Sequence, residues 1–247
     1  MSEEPTVDLP TPDVALAIAA HPDDVEFQAG ATLAKWAAAG CEVHHLVLTD
    51  GSKGSWDPTD DPAVLVARRE EEQRAAATRL GGAPGGVRFL RWPDGELDSG
   101  RRQQAQVAAA IREVRPDVVL GHDPWRRYRL HPDHRHAGWL ATDGIVAARD
   151  PHFFPELATP HHRPTALLLW EADEVDHVET VDEAAAAAKV AALLEHITQF
   201  RTTHGISDPT DEAQRAGFHE RMLASLATNG ALVGASLGEP FKLITRL

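Results

Sequence analysis

Cysteine, methionine and tyrosine are scarce in this 247-residue sequence, which has one Cys, two Met and one Tyr. Because Cys41 is the single cysteine, a fold built on intramolecular disulfides is excluded. No apolar run reaches the roughly 18 residues that a membrane-spanning helix needs. A chain without disulfides is typical of a reducing compartment, so we expect a cytoplasmic location. Because the chain has no apolar run of that length, we also expect no membrane contact.

The first residues lack the pattern of a secretory signal. Residues 1–13 are acidic and contain prolines, whereas a signal peptide places basic residues before an apolar stretch. We therefore expect residues 1–13 to form an N-terminal surface tail and residues 14–247 to form one domain.

Positive charge is also in short supply. The chain has 24 Lys and Arg against 38 Asp and Glu, a formal net charge of −14. Nucleic-acid binders need Lys and Arg to replace the counterions around phosphates, so this balance predicts no general nucleic-acid partner. Histidine, in contrast, is plentiful, with 14 residues. Because His is a frequent metal ligand and acid–base group, its positions bear directly on function.

Short apolar runs alternate with longer segments of helical periodicity along the chain. The predicted strands are residues 14–20, 43–48, 87–90, 117–120 and 165–170. The predicted helices are residues 27–39, 62–80, 101–114, 134–149, 182–199 and 211–226. This alternation is typical of βαβ units. The sequence therefore predicts an α/β, single-domain, Rossmann-like fold with a mostly parallel sheet flanked by helices.

Polar and ionisable residues follow the ends of the first four predicted strands. These segments are residues 21–24, 49–54, 92–95 and 122–123, with residues 131–134 a little later. Ligands of parallel α/β sheets bind outside the carboxyl ends of the strands. We therefore expect these segments to meet at one edge of the sheet and to form the functional site.

Two of these segments place His and Asp around a proline. His21 and Asp24 lie three residues apart in a tight turn, close enough to reach one ion. Imidazole and carboxylate ligands suit Zn²⁺, and three protein ligands with one open position are typical of a catalytic zinc site. From the residues alone, either His131 or His134 could complete the set.

The same segments resemble the LmbE-like, or PIG-L, deacetylase family. The resemblance rests on AHPDD at residues 20–24, LTDG at 48–51 and HPDH at 131–134, and covers most of the chain. Members are zinc-dependent amidases that remove acyl groups, typically acetyl, from N-acylated amino sugars and related conjugates. The resemblance implies the same activity here, with a small, sugar-like N-acylated molecule as substrate.

Carried over residue by residue, the resemblance implies one zinc ion per chain held by His21, Asp24 and His134. It implies that Asp23 is the general base and that His131 stabilises the oxyanion. The chemistry agrees with these roles, because a metal-activated water needs a free carboxylate beside it to accept its proton.

Weaker matches imply that Arg69 and Asp94 bind the substrate. Asp133 is predicted to orient a metal-binding histidine through a hydrogen bond without binding the metal itself. Some members have a tyrosine where this chain has Arg129, and Tyr128 is one position off, so neither residue receives a role.

Two alternatives remain at this point. A metal-dependent hydrolase of esters or phosphoesters would be expected to show a Lys/Arg cradle or a second metal. A non-catalytic nucleotide-binding α/β module would be expected to have GxGxxG after the first strand, where residues 21–24 stand instead. The sequence does not determine the exact substrate. It does not determine the oligomeric state either, and it is compatible with a homo-oligomer.

Overall fold

The computed structural model of the protein describes residues 4–83 and 85–247. Its strands are β1 (Thr6–Val7), β2 (Val14–Ala19), β3 (Glu42–Thr49), β4 (Val87–Trp92), β5 (Val118–His122), β6 (Ala166–Trp170), β7 (His177–Thr180) and β8 (Gly238–Ile244). Its helices are α1 (Asp24–Ala38), α2 (Pro62–Arg79), α3 (Arg101–Val114), α4 (Pro132–Arg149), α5 (Glu183–Leu193) and α6 (Glu212–Gly230). None of these helices is both long and apolar enough to cross a membrane.

The strands form one mixed sheet of eight in the order β1-β7-β8-β6-β5-β2-β3-β4. Neighbouring strands pair in parallel except at β8, which runs antiparallel to both β6 and β7. The predicted α/β fold with a mostly parallel sheet is confirmed. The sequence analysis missed β1, β7 and β8, which are short or lie toward one side of the sheet.

Part of the N-terminal segment belongs to that sheet. Thr6 and Val7 pair with His177 and Val178 in β7, so residues 6–7 are not part of a free tail. The prediction of a surface tail is wrong for these two residues. Their partners lie about 170 positions away in the chain, and two exposed residues carry no alternation that would indicate a strand.

The central strands are apolar because helices cover both faces of the sheet. In β2, Leu16 and Ile18 belong to the apolar cluster that α3 and α4 build on one face. Ala15 and Ala17 belong to the cluster that includes Trp36 of α1 on the other face. The side chains of a strand alternate between faces, so a strand covered on both sides must be apolar at every position.

The chain reverses its direction of travel across the sheet between β2 and β5. From β2 it passes outward to β3 and β4, and later returns to place β5 on the other side of β2. Such a switch point leaves a crevice at the carboxyl ends of the two strands, where helical connections diverge. His21 follows the end of β2 and His122 ends β5, so both lie at this crevice.

The predicted helix over residues 182–199 is too long. α5 ends at Leu193, and a 3-10 turn (Ile197–Gln199) and a π-helical turn (Phe200–His204) follow. The His204 ring lies 2.8 Å (Nε2) from the Leu193 carbonyl oxygen and so satisfies an acceptor that the ended helix leaves free. This irregular stretch brings Gln199, Thr202 and Thr203 to the cleft that also contains His21, next to the carboxyl end of β2.

Candidate active site

The turn after β2 holds its carboxylates in a constrained backbone. Asp23 has a φ of 97°, a left-handed conformation that Asn and Asp adopt more readily than most residues. Its backbone N–H donates to Gln73 Oε1 at 2.9 Å, and the His21 backbone N–H donates to Asp24 Oδ2 at 2.8 Å. All three turn residues are buried. The turn is thus fixed from both sides before any ligand binds.

Three predicted metal ligands converge although HPDD and HPDH are far apart in the chain. His21 Nδ1 lies 3.1 Å from His134 Nε2 and 3.5 Å from Asp24 Oδ2, and His134 Nε2 lies 3.3 Å from Asp24 Oδ1. A tetrahedral zinc site with bonds of about 2.0–2.1 Å places its ligand atoms roughly 3.3 Å apart. The spacing of these donor atoms therefore fits a zinc ion.

The second ring nitrogen of His21, which points away from Asp24 and His134, contacts two carboxylates. His21 Nε2 lies 3.1 Å from Asp133 Oδ2 and 3.2 Å from Asp94 Oδ1. Asp133 also accepts from the backbone N–H of Gly95 at 2.6 Å and of Leu97 at 3.2 Å. This is the arrangement in which a metal-binding histidine donates its other N–H to a carboxylate.

These carboxylates make the site strongly attractive to a cation. Burial alone would lower the pKa of His21, but hydrogen bonds to Asp133, Asp24 and Asp94 raise it well above its ordinary value. Burial would raise the pKa of Asp94, but the hydrogen bond to His21 and the charge of that ring, together with the Lys53 backbone N–H and Arg69, lower the pKa to about 2. The surrounding carboxylates therefore favour a positive charge at the position of His21.

In the described residues, the groups of donor atoms that could bind a metal ion are His21–His131–His134, Asp24–His122–His134 and His21–Asp94–Asp133, and Asp23, beside the convergence, belongs to none of them. Burial raises the pKa of its carboxyl to about 6, with Arg69 opposing that rise and Asp24 adding to it. Its Oδ2 lies 3.7 Å from Arg69 Nη2. Asp23 is therefore a buried carboxyl with a pKa close to neutrality, which suits a proton acceptor.

Arg69, a predicted substrate contact, is only 3% exposed. Its Nη1 donates to the Gly51 carbonyl at 2.8 Å and its Nη2 to the Pro22 carbonyl at 2.7 Å. It thus braces the two loops that follow β2 and β3, while also lining the cleft. Its role toward substrate stays a prediction.

His131 lies at the entrance to the site and is exposed. Its ring stacks on that of His134 with centroids 4.8 Å apart, and meets the His21 ring edge-on at 4.7 Å. Burial and the nearby His21 lower its pKa below the ordinary value. A neutral imidazole retains one N–H, so His131 can still donate a hydrogen bond to a substrate oxygen.

The structure adds three residues that the sequence analysis did not select. His122 lies with Nε2 3.3 Å from Asp24 Oδ2 and with Nδ1 3.3 Å from Glu171 Oε2. Glu171 Oε1 also accepts from Arg129 Nη1 at 2.6 Å, and its Oε2 forms an ion pair with Arg129 Nη2 at 2.6 Å. Arg129 in turn contacts the His134 ring. The position of residue 122 at a predicted strand end was the one available signal for this cluster.

Further polar residues brace the site from behind. Gln73, whose amide oxygen accepts from Asp23, donates through Nε2 to Glu26 Oε1 at 2.7 Å. Glu26 is fully buried and lies 3.4 Å (Oε2) from His196 Nε2. A chain of polar contacts therefore runs from the Asp23 backbone through Gln73 to the buried carboxylate of Glu26.

The predicted ligands line an open cleft of about 550 Å³. Its other walls come from the loop after β3, including Lys53 and Trp56, and from the turns after α5, including Gln199 and Thr202. This volume is in the range of pockets that bind small molecules.

Comparison with known proteins gives a consistent result. The family description "PIG-L: GlcNAc-PI de-N-acetylase" matches residues 16–145. A diacetylchitobiose deacetylase of Thermococcus kodakarensis is 39% identical over 138 residues, which cover 56% of this chain and 51% of that protein. A 1D-myo-inositol 2-acetamido-2-deoxy-alpha-D-glucopyranoside deacetylase of Mycolicibacterium gilvum is 32% identical over 229 residues, covering 74% of this chain and 80% of that one. The chain therefore spans about half the length of the Thermococcus protein, and it spans 54–57% of the length of two further curated relatives.

Solved structures share the fold. An N,N′-diacetylchitobiose deacetylase of Pyrococcus horikoshii has a TM-score of 0.82 and 26% identity, over 95% of this chain and 84% of that one. A 4-carboxy-2-hydroxymuconate hydratase of Pseudomonas putida has a TM-score of 0.71 at 20% identity, over 94% and 96%. The second case shows that the fold by itself does not determine the reaction. The match over residues 16–145 and the coverage of the Mycolicibacterium relative show that this chain belongs to the PIG-L, or GlcNAc-PI de-N-acetylase, family.

Proposed function

We propose that the protein is a zinc-dependent N-deacetylase that hydrolyses the acetamide of an acetylated amino sugar to acetate and a free amine. One observation carries the proposal. His21 Nδ1 and His134 Nε2 lie 3.1 Å apart, and each lies 3.3–3.5 Å from one oxygen of the Asp24 carboxylate, beside the buried carboxylate of Asp23, in a chain of the PIG-L family.

The metal would be held by His21 Nδ1, His134 Nε2 and the Asp24 carboxylate. Two imidazoles and one carboxylate suit zinc, and three protein ligands leave a position open. When bound, zinc supplies a Lewis acid that lowers the pKa of water to about 7 and polarises a carbonyl oxygen. The buried carboxylates of Asp94 and Asp133 support this assignment, because they hold the other face of His21.

Asp23 is the proposed general base. Its carboxylate accepts a proton from the attacking water as the C–O bond forms. It then returns that proton to the amide nitrogen as the C–N bond breaks, so the amine leaves neutral. Arg69 keeps the carboxylate beside the ligands through their 3.7 Å ion pair and through its bonds to the two loops.

His131 is the proposed oxyanion donor. Its ring lies at the entrance, packed on the rings of both histidine ligands, where the acetamide oxygen would enter. An N–H aimed at this oxygen binds more strongly as negative charge develops, which is the property that accelerates the step.

His122 and Glu171 are proposed positioning residues. The His122 N–H donates to Asp24 Oδ2, which leaves Oδ1 facing His134. Glu171 then accepts from the other nitrogen of His122 and lies 3.8 Å from His134 Nδ1. Because Arg129 neutralises Glu171, the cluster can hold this carboxylate partly buried.

Phosphoester hydrolysis fits the site less well. Among the described residues, the lysines and arginines that line the cleft are Lys53, Arg69 and Arg129. Each is already bonded to carboxylates or backbone carbonyls, so they do not form a free phosphate cradle. The relatives that are named as deacetylases act on an acetylated chitobiose or an acetamido-glucopyranosyl inositol, which supports an amino-sugar substrate here.

An acetate-release assay tests the proposal directly. The zinc-loaded protein is incubated with N-acetylglucosamine, N,N′-diacetylchitobiose and an acetylated aryl ester as control. We expect acetate and a new primary amine in equal amounts from at least one sugar, and loss of both products in Asp23→Asn. Acetate from the ester alone, or no acetate from protein with full zinc content, would contradict the proposal.

A further inference from the structure

The turn that carries Asp23 has the backbone conformation of a type II turn. Residues 21–24 form a β-turn in which the Asp24 N–H donates to the His21 carbonyl at 3.4 Å. Asp23, the third residue of this turn, has φ 97° and ψ −26°. A type II turn has such values there and favours Gly or Asn, whereas a type I turn has φ of about −90°. The two types differ mainly in the orientation of the central peptide group, so contacts outside the turn are needed to favour type II with an aspartate in this place.

Helix α2 binds both ends of that central peptide group, which consists of the Pro22 carbonyl and the Asp23 N–H. Arg69 Nη2 donates to the Pro22 carbonyl at 2.7 Å, and the Asp23 N–H donates to Gln73 Oε1 at 2.9 Å. Arg69 and Gln73 are four residues apart and therefore lie on one face of the helix. Both side chains are buried. Rotation of the peptide group to the type I orientation would break both hydrogen bonds and leave buried polar atoms without partners, which is costly.

The amide of Gln73 is held in one orientation by the residues behind it. Its Nε2 donates to Glu26 Oε1 at 2.7 Å and lies 3.3 Å from His45 Nδ1. Burial lowers the pKa of His45, and a neutral imidazole accepts a hydrogen bond at one nitrogen. If the amide were turned over, its oxygen would face the Glu26 carboxylate and its NH2 group would face the Asp23 N–H. Glu26 and His45 therefore leave the Gln73 oxygen as the group that faces the turn.

The orientation of the central peptide group decides where the Asp23 carboxylate points, because φ of Asp23 sets the direction of its Cα–Cβ bond relative to that group. A general base must lie within hydrogen-bond reach of the proton it accepts. We propose that Gln73, oriented by Glu26, is a positioning residue that keeps this peptide group in the type II orientation and thereby holds the Asp23 carboxylate beside the metal ligands. This inference rests on the proposed function, in which Asp23 is the base. Gln73 is not among the described residues that line the cleft, so it acts through the Asp23 backbone.

Gln73→Met tests this role, because methionine keeps the side-chain length and the helical preference but is only a weak hydrogen-bond acceptor. The substrate is N-acetylglucosamine or N,N′-diacetylchitobiose, whichever releases acetate. At saturating zinc, kcat should fall about 10–100-fold with little change in KM, because the base acts in the transition state. Zinc content should stay at the wild-type level, since the three proposed ligands are intact.

Gln103 supplies a matched control for this variant. It is another buried glutamine, on α3, and it is not among the described residues that line the cleft. Gln103→Met should keep the wild-type kcat. A Gln73→Met protein with the same kcat as this control would overturn the proposal, and so would a loss of zinc in proportion to the loss of kcat.

Exchange of the two partners distinguishes positioning from packing. Gln73→Glu keeps an acceptor for the Asp23 N–H but sets a second carboxylate against the buried Glu26, so kcat should again fall. In the double variant Glu26→Gln/Gln73→Glu, the new amide donates to the new carboxylate, whose second oxygen accepts from Asp23. This variant keeps the volume and net charge of the pair and should recover most of the kcat that Gln73→Glu loses. A double variant no more active than Gln73→Glu would overturn the orienting role of Glu26, and this comparison decides even if Gln73→Met does not fold.

Amide hydrogen exchange separates this inference from the proposed function, because it needs no turnover. In the zinc-loaded protein, NMR should show the Asp23 N–H exchanging about tenfold faster in Gln73→Met than in wild type or Gln103→Met. Unchanged exchange would overturn the proposal whatever the activity. Exchange that depends on Gln73, in a protein that releases no acetate from any acetylated sugar, would reject the proposed function and keep the contact between Gln73 and the turn. Acetate release that Gln73→Met leaves unchanged would reject the positioning role and keep the function.

Discussion

The two sides of the cleft are built differently. The side at the ends of β2 and β5 is buried and braced by side chains that follow or end the strands, as at Asp94 and His122. The side formed by the loop after β3 is exposed, and Trp56 is held mainly by hydrogen bonds within its own loop. Reaction chemistry needs atoms fixed to a fraction of an ångström, whereas substrate selection tolerates variable loops on a rigid scaffold. Substitutions on the two sides should therefore differ in size and in kind.

Loss of a ligand on the buried side should have the largest effect. His21→Ala, Asp24→Ala and His134→Ala should each lose stoichiometric zinc and all measurable deacetylation, because each removes one of three converging donors. Elemental analysis of the purified variants gives the zinc content. His152→Ala, at an exposed loop position, serves as control and should keep both. A variant that retains full zinc would remove its residue from the ligand set.

Asp23→Asn should come next, with kcat reduced by about 10²–10⁴ and zinc still bound. Asparagine keeps the shape of the side chain and tolerates the left-handed φ of 97°, so the turn should survive. What it loses is the ability to accept a proton. Steady-state kinetics and zinc content are measured on the same preparation, and near-normal turnover would reject the base assignment.

His131→Ala should reduce kcat by about 10²–10³ while zinc stays bound. The ring is exposed and packs on His21 and His134 without being one of the three proposed ligands. Because His131 also forms a group of possible metal ligands with those two histidines, the experiment must distinguish His131 from His134 as the ligand. A metal-free His131→Ala protein beside a His134→Ala protein with normal zinc would show that the two roles are exchanged.

Glu171→Gln should weaken zinc binding by about 10–100-fold and change kcat at saturating zinc much less. The amide preserves size but accepts more weakly from His122 and Arg129, so the orientation of Asp24 and His134 is less well defined. Competition with a fluorescent chelator measures the zinc Kd. Glu174→Gln, exposed in the same connection, is the matched control and should bind zinc like wild type. Equal affinity in both variants would leave Glu171 without a positioning role.

The smallest effect is expected for stability on the exposed side. Trp56→Ala should change the free energy of unfolding by less than about 0.5 kcal/mol, because the indole packs against little. Trp36→Ala, in the core with 0% exposure, should cost about 3–5 kcal/mol. Urea denaturation measures both. A decrease in the free energy of unfolding of more than about 1 kcal/mol for Trp56→Ala would show that the indole packs against other residues in solution.

The sequence by itself determined the central part of the fold and the core of the candidate site. Strands such as β2 and β5 are continuous apolar runs, because both faces of these strands are buried. In the helices between them, apolar residues recur at the spacing of helical turns. HPDD and HPDH place several chemical groups within four residues each. A turn of that length brings its side chains together whatever the rest of the chain does, so local sequence indicates the chemistry.

The tertiary structure decided what depends on distant partners. His122, Glu171 and Arg129 acquire their roles because the ends of β5 and β6 are adjacent and because a loop returns over them. A single His or Glu at a strand end forms no pattern that could reveal this. The same reason explains β1 and the end of α5: Thr6 pairs with His177, and His204 reaches the Leu193 carbonyl. Hydrogen bonds and burial between residues far apart outweigh the local preference at such positions, and only the assembled fold specifies those contacts.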